Sequence, residues 1–260
     1  MRYNHPRRIA GWLGSSSFSN ILIACLIPFL IYGFDDFAMQ LNGINIGNEM
    51  SAKTILCNHT GTQVEYEITS GFQLGAIIKM QADWQAEKSM VLKEIIAKYG
   101  VQLDDEDFAQ EALLRYNLAD LNWDWTAKAF HCKSDDYIWF LFMAEGHVQG
   151  ACVVYHPKQS RFDGDNIFYI DYIAASYSNR DRPDYTRRFS GVGSRLISFV
   201  SKFALETLSY RHGFCLHSLP TAELYYRGLG MTEFPADPDK ENLVYFEACP
   251  ATAAKIAGAA

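Results

Sequence analysis

Apolar positions along the chain alternate between two periods. Residues 64–68 read VEYEI, apolar and polar by turns, as expected of a strand with one face covered. Over Leu74–Tyr99 the period changes: Ile77, Ile78, Met80 and Trp84, then Met90, Val91, Leu92, Ile95 and Ile96 recur at helical spacing, with Gly100 as the stop. The acidic run at 104–107 precedes Phe108, Ala109, Leu113 and Leu114, which predicts a second helix whose dipole those carboxylates complement. Trp123 and Trp125 fall in a third short helical piece. Residues 137–144 and 147–155 then predict a hairpin turning at Glu145-Gly146, followed by a loop over 157–165 and an apolar, β-prone strand over Asn166–Ala175.

The stretch that follows, YTRRFSGVGSRLISFVSKFALETLSYRHG from Tyr185 to Gly213, begins as a basic loop and becomes a long amphipathic helix. Its apolar face is Leu196, Ile197, Val200, Phe203, Ala204 and Leu208, with Gly213 as the stop. Residues 214–218 predict a short strand, Pro220 opens another helix, and 243–247 predict the last strand. The alanine-rich tail after Pro250 is expected to fray.

Gly191 and Gly193 let the backbone approach a ligand closely, and a helix start with small residues offers unpaired N–H groups and a positive dipole end. Arg187 and Arg188 add charge there, so the ligand expected is a phosphate. A Walker loop requires Gly-Lys-Ser/Thr, whereas Ser194 and Arg195 follow Gly193. A dinucleotide fingerprint requires a third glycine where Leu196 stands, and a much shorter turn after the strand. What does fit is Arg188-Phe189-Ser190-Gly191-Val192-Gly193, the Arg/Gln-x-x-Gly-x-Gly/Ala pattern. Downstream, Ala222, Tyr226 and Gly230 sit four apart and Met231 follows, close to Ala-x-x-x-Tyr-x-x-x-Gly-Phe with Met in place of Phe.

On these two signatures, in this order, the chain resembles the GNAT family of N-acetyltransferases, over roughly residues 63–248. The resemblance implies a mixed α/β (α+β) fold: a mostly antiparallel twisted sheet flanked by helices, whose splayed central parallel strands bind acyl-CoA. It implies acetyl-CoA as co-substrate with no metal, and direct attack by a primary amine in a ternary complex. By the same resemblance the backbone of Phe189, Ser190, Gly191, Val192, Gly193 and Ser194, with Arg188 beside it, holds the pyrophosphate. Ile173 and Ala174 hold the pantetheine arm. Tyr226 is the catalytic acid, protonated at neutral pH against a thiol of pKa about 8.5, while Tyr225 takes the packing position. Asp171, an acid inside an apolar strand, is the candidate base; solvent or Arg182 is its alternative partner. His217 is a second candidate base or a hydrogen-bonded core histidine, and Glu145 a solvated turn residue. The helical region with Trp123 and Trp125 would help form the acceptor pocket; core packing is their other reading.

Composition narrows the partners. The formal charge is −7, from 30 acidic and 23 basic residues, which speaks against broad nucleic-acid binding and tilts toward a cationic small-molecule or peptide amine. Six scattered cysteines without a Cys-x-x-Cys pair read as buried or neutral thiols in a reducing compartment, and the resemblance to a CoA-dependent enzyme implies the cytoplasm. Asn58-His59-Thr60 would matter as a glycosylation site only in a secreted chain, and it is discounted because a CoA-dependent enzyme works where CoA is. Residues 1–49 form an extension with an apolar run at 21–34, broken by Pro28 and short of the roughly twenty residues of a membrane span. A leader, a membrane anchor, a lipobox at Leu22-Ile23-Ala24-Cys25 and a true start at Met50 are its readings. One domain is expected over 50–249 and a flexible tail over 250–260; a homodimer stays open. The competitor to an enzyme is a silent CoA-binding module of the same fold.

Overall fold

The computed structural model describes residues 53–258, so the extension, its apolar run and the Met50 junction lie outside the described residues. Those residues form one eight-stranded sheet of β1 (Lys53–Cys57), β2 (Thr62–Ser70), β3 (Tyr137–Ala144), β4 (His147–Gln159), β5 (Asn166–Ala175), β6 (Phe214–Ser218), β7 (Thr232–Asp237) and β8 (Leu243–Ala248). The spatial order is β1-β2-β3-β4-β5-β6-β8-β7, and β5 with β6 is the one parallel pair in that sheet. The helices are α1 (Leu74–Tyr99), α2 (Glu106–Arg115), α3 (Trp125–His131), α4 (Val192–Glu206), α5 (Glu223–Gly228) and α6 (Pro250–Gly258). The fold is mixed α/β with a mostly antiparallel sheet.

Period-two alternation divides the interior into two cores. From β3, Phe140 and Phe142 face α4 and α6, while Trp139 and Leu141 face α1 to α3. On β4, Cys152 and Val154 join the first set and Ala151 and Val153 the second. Both sheet faces are thus covered, which is why the central strands are apolar at nearly every position. In β5 the register against β4 slips between Tyr172 and Ile170, leaving Asp171 as a bulge. Ile170 and Ile173 consequently serve the α4 core, and Tyr172 and Ala174 the other.

Gly191, at φ +80°, caps the N-terminus of α4. Val192, Leu196, Ile197, Val200 and Ala204 bury its apolar face. Gly150 admits that face: a Cβ there would lie 2.5 Å from Val192 Cγ1. Asp105 caps α2 by accepting from the Phe108 N–H at 3.0 Å, as the acidic run predicts.

Several expectations are corrected. The loop expected over 157–165 starts three residues later, at Ser160, because β4 runs on through Gln159, with Lys158 and Gln159 pairing with Ile167 and Asn166 in β5. Helix α4 ends at Glu206, short of Leu208 and Gly213; the chain turns at Ser209 (φ +55°) and the Tyr210 N–H donates back to Ala204 O. Trp123 precedes α3, which Asp124 caps. Ala222 and Gly230 flank α5 instead of lying in it. The tail expected to fray forms α6, with Ala253, Ile256 and Ala257 buried. Among the described residues no helix is long and apolar enough to cross a membrane.

Candidate active site

The site begins where the parallel strands part. Pairing of β5 with β6 runs through Phe168↔Phe214, Tyr169↔Cys215 and Ile170↔Leu216 and stops there. From Asp171 onward β5 is paired only on its β4 side, with Ile173 opposite Cys152 and Ala174 opposite Ala151. Its other edge offers backbone groups to a wedge between the strands. The chain leaves β5 toward α4 and β6 toward α5, so both helices start at the carboxyl ends of the parallel strands, a location that favours ligand binding in open α/β sheets.

The loop before α4 is held by the β1–β2 turn. The Asn58 N–H donates to Arg188 O at 2.8 Å. Its side-chain amide donates to Arg187 O and to Ser190 Oγ, and His59 Nε2 meets Thr186 O at 2.6 Å. These contacts change the expected phosphate donors. The Phe189 ring is buried and its N–H is consumed by Asn179 Oδ1 at 3.0 Å. The Arg188 guanidinium pairs with Glu145, the turn residue expected to be solvated. The available first turn therefore runs from Ser190 to Ser194, with the Val192 side chain packed inward. Cys57, bridged to Phe189, is buried, in keeping with the expectation for the cysteines; hydrogen bonding from Thr60 foremost, against the opposing effect of burial, brings its pKa down to about 7.

Beside this turn lies a cavity of about 530 Å³. Ser194, Arg195 and Ser198 of α4 line it, with Tyr225, Gly228 and Leu229 around α5 and Lys255 and Ile256 of α6; Lys53, Thr54 and Tyr66 close the far side. Three cations from three distant segments thus converge on one hollow in an acidic chain. Among the residues expected to hold the coenzyme, Ser194 is the one that lines it. Lys53, Arg195 and Lys255 carry no sequence signal, since only the fold brings them together.

Tyr225 and Tyr226 exchange their expected environments. Tyr225 is 40% exposed, lines the cavity, and meets Ser194 Oγ through its hydroxyl at 3.0 Å. Tyr226 is 5% exposed, packed on Phe246 with ring centroids 5.8 Å apart. Burial, followed by Tyr225 and Cys152, pushes the Tyr226 hydroxyl well above its ordinary value of 10.0, so it holds its proton at neutral pH.

On the opposite sheet face, Asp171 organises a polar cluster. Cys132 Sγ lies 4.0 Å from Asp171 Oδ2, and burial together with the Asp171 charge pushes that thiol up to about 12. The same two causes push Tyr137 up to about 12. Arg182 is engaged elsewhere, by Glu94 at 3.3 Å and Tyr177 O at 3.1 Å. His217 lies between Tyr169, whose hydroxyl is 2.9 Å from Nδ1, and Asp237, 3.1 Å from Nε2. Burial lowers its pKa despite Asp237. Trp123 and Trp125 both pack edge to face against Tyr172, at 5.2 and 6.5 Å, and Trp125 is buried in the core.

No protein-family model matches the chain, and no curated protein matches its sequence. Solved structures similar to it include an acetyltransferase of the GNAT family from Listeria monocytogenes, at 13% identity over 75% of this chain and 99% of that one, TM-score 0.38. Another is an acyl-CoA N-acyltransferase from Pseudomonas aeruginosa, at 12% identity over 71% and 100%, TM-score 0.41. A third is the KacTA–DNA complex, at 14% identity over 52% and 80%, TM-score 0.38. At these identities none of them assigns a residue or a substrate to this chain. The chain's own features, two ordered signatures and a parallel pair that parts after Ile170 and Leu216, resemble the GNAT acetyltransferases.

Proposed function

We propose that this chain is an acyl-CoA-dependent N-acetyltransferase that moves an acetyl group from acetyl-CoA to a primary amine by direct attack. Two observations carry this reading: the cavity at the start of α4, rimmed by Lys53, Arg195 and Lys255, and the parting of β5 from β6 after Ile170 and Leu216. A coenzyme with a phosphate-rich head and a long narrow arm matches a cationic hollow for the head and a gap between parallel strands for the arm.

In this reading the N–H groups of Ser190 to Ser194, the Ser194 and Tyr225 hydroxyls and the three cations bind the phosphates. The arm lies along the open β5 edge at Ile173 and Ala174. Asp171 takes the proton that the attacking nitrogen loses, and Tyr226 protonates the departing thiolate. Much of the rate enhancement comes from holding two reactants in line. No step needs a metal. The acceptor is a small-molecule or peptide amine, and the compartment is the cytoplasm, where acyl-CoA is available.

The burial of Tyr226 favours a second reading, a CoA-binding module of this fold without turnover. Calorimetry with acetyl-CoA, followed by thiol release across a panel of amines, separates the two. Binding with release supports the enzyme, binding without release supports the module, and absence of binding removes both.

A further inference from the structure

Lys128 of α3 holds its ammonium 3.6 Å from the centroid of the Tyr172 ring and 4.6 Å from that of Trp123. Those rings meet edge to face at 5.2 Å, so the cation occupies an aromatic corner. Tyr172 follows the Asp171 bulge, at the first residues of β5 that β6 leaves unpaired. The Asp171 carboxylate acts on Lys128 as well as on Cys132, Tyr137 and Tyr172. A primary amine of the chain itself is therefore within the electrostatic reach of the proposed base, on the sheet face away from the α4 cavity. In the reading above the coenzyme enters from the α4 side and its thioester reaches the β5 edge, so an acceptor amine must arrive from the face where Lys128 stands.

We propose that Lys128 is an acetyl acceptor in cis, modified from acetyl-CoA bound to the same chain. The inference rests on the acyltransferase reading. The ammonium first gives up one proton, and the neutral Nζ attacks the thioester carbonyl. The new C–N bond forms as the C–S bond breaks, the second nitrogen proton passes to Asp171, and the thiolate is protonated. The products are Nζ-acetyl-Lys128 and free coenzyme thiol, with one net proton released. Burial favours the first deprotonation by lowering the Lys128 pKa, an effect that the Asp171 charge opposes without overcoming. The acetylated side chain carries no charge for Asp171 or the rings to hold, which frees that corner for an external cation.

Other lysines serve as controls. Lys53 and Lys255 rim the cavity on the opposite side, so they report acetylation by mere nearness to the coenzyme. Lys88, though buried, donates to Leu121 O at 3.0 Å. The test uses the full chain, isotopically labelled acetyl-CoA, and peptide mass spectrometry to follow occupancy at each lysine, with calorimetry and thiol release on the same sample. Labelling of Lys128 about tenfold faster than Lys53 or Lys255, and lost on heat denaturation, is expected from the advantage of a positioned nucleophile. Lys128→Arg should remove that label while retaining coenzyme binding. If acetyl-CoA binds and n-butylamine is acetylated but Lys128 stays unlabelled, or labels no faster than in denatured chain, the inference is overturned and the acyltransferase reading stands. If acetyl-CoA neither binds nor releases thiol, both fall.

Discussion

The hydroxyls of Ser194 and Tyr225 lie 3.0 Å apart and join the first turn of α4 to α5 at the cavity, while the adjacent Tyr226 turns inward onto Phe246. Two neighbouring tyrosines thereby acquire separable duties. Tyr225→Phe removes one neutral hydrogen bond at the phosphate end, worth about 1 kcal/mol, and should weaken acetyl-CoA binding by roughly fivefold with kcat little changed. Tyr226→Phe should leave binding intact and lower kcat by about 10²-fold, the contribution of a general acid. Steady-state kinetics with coenzyme titration reads both. The reverse pattern would assign the acid to Tyr225.

The two loop glycines should also separate. Gly191 has φ +80°, and a Cβ would approach Arg195 Nη1 to 2.7 Å, so Gly191→Ala should cost about 1–2 kcal/mol of stability, visible as a lowered Tm. Nothing lies within 4 Å of a Cβ at Gly193. Gly193→Val should therefore fold normally yet obstruct a phosphate over the first turn, weakening coenzyme binding by roughly tenfold or more. Undiminished affinity in Gly193→Val would place the phosphates elsewhere.

Charge around the cavity predicts a salt dependence. Arg195→Gln and Lys255→Gln should each weaken acetyl-CoA binding by roughly tenfold at low salt, and the affinity of the parent should fall as ionic strength rises. The two variants should show a shallower salt slope. A parent affinity indifferent to salt would exclude the cationic rim as the phosphate site.

A pH prediction follows from His217. Its folded pKa lies below the ordinary 6.5 because burial disfavours the cation, so the unfolded chain binds the proton more readily. Stability from this group is complete above that ordinary value and is lost as pH falls below it. His156, also lowered by burial, acts in the same direction. Thermal melts between about pH 5 and pH 8 should show Tm falling toward acid, and His217→Asn should shrink that fall. An unchanged slope in the variant would mean that His217 is not the group titrating.

The strongly periodic segments were legible in the sequence. Leu74–Tyr99, Asn166–Ala175 and Phe214–Ser218 coincide with α1, β5 and β6 because each carries a long or wholly apolar pattern and ends at a marked boundary. Strands β1 and β7 carry little pattern: β1 is five residues long, and β7 contains Pro235 and has no buried position. The alanines of α6 acquire a buried face only by packing against α4, with Ser198 Oγ donating to Ala257 O at 2.9 Å. At the site, the glycine loop was legible because backbone demands are local. Which of Tyr225 and Tyr226 faces the cavity was not, since adjacent helical residues differ by about 100° and the phase is set by packing on Phe246. The contacts of Arg188 and of the Phe189 N–H were illegible for a similar reason: Glu145 and Asn179, which engage them, come from other segments.

Lys53 belongs to β1 and Lys255 to α6, yet both face one hollow. Until β1 and α6 have docked, that hollow lacks two of its three cations. A bound coenzyme would act as a clasp between segments remote in sequence, drawing on contacts that a partly assembled chain cannot offer. Limited proteolysis near β1 and within α6 should then slow together when acetyl-CoA is added, although no peptide bond links the two cleavage sites locally.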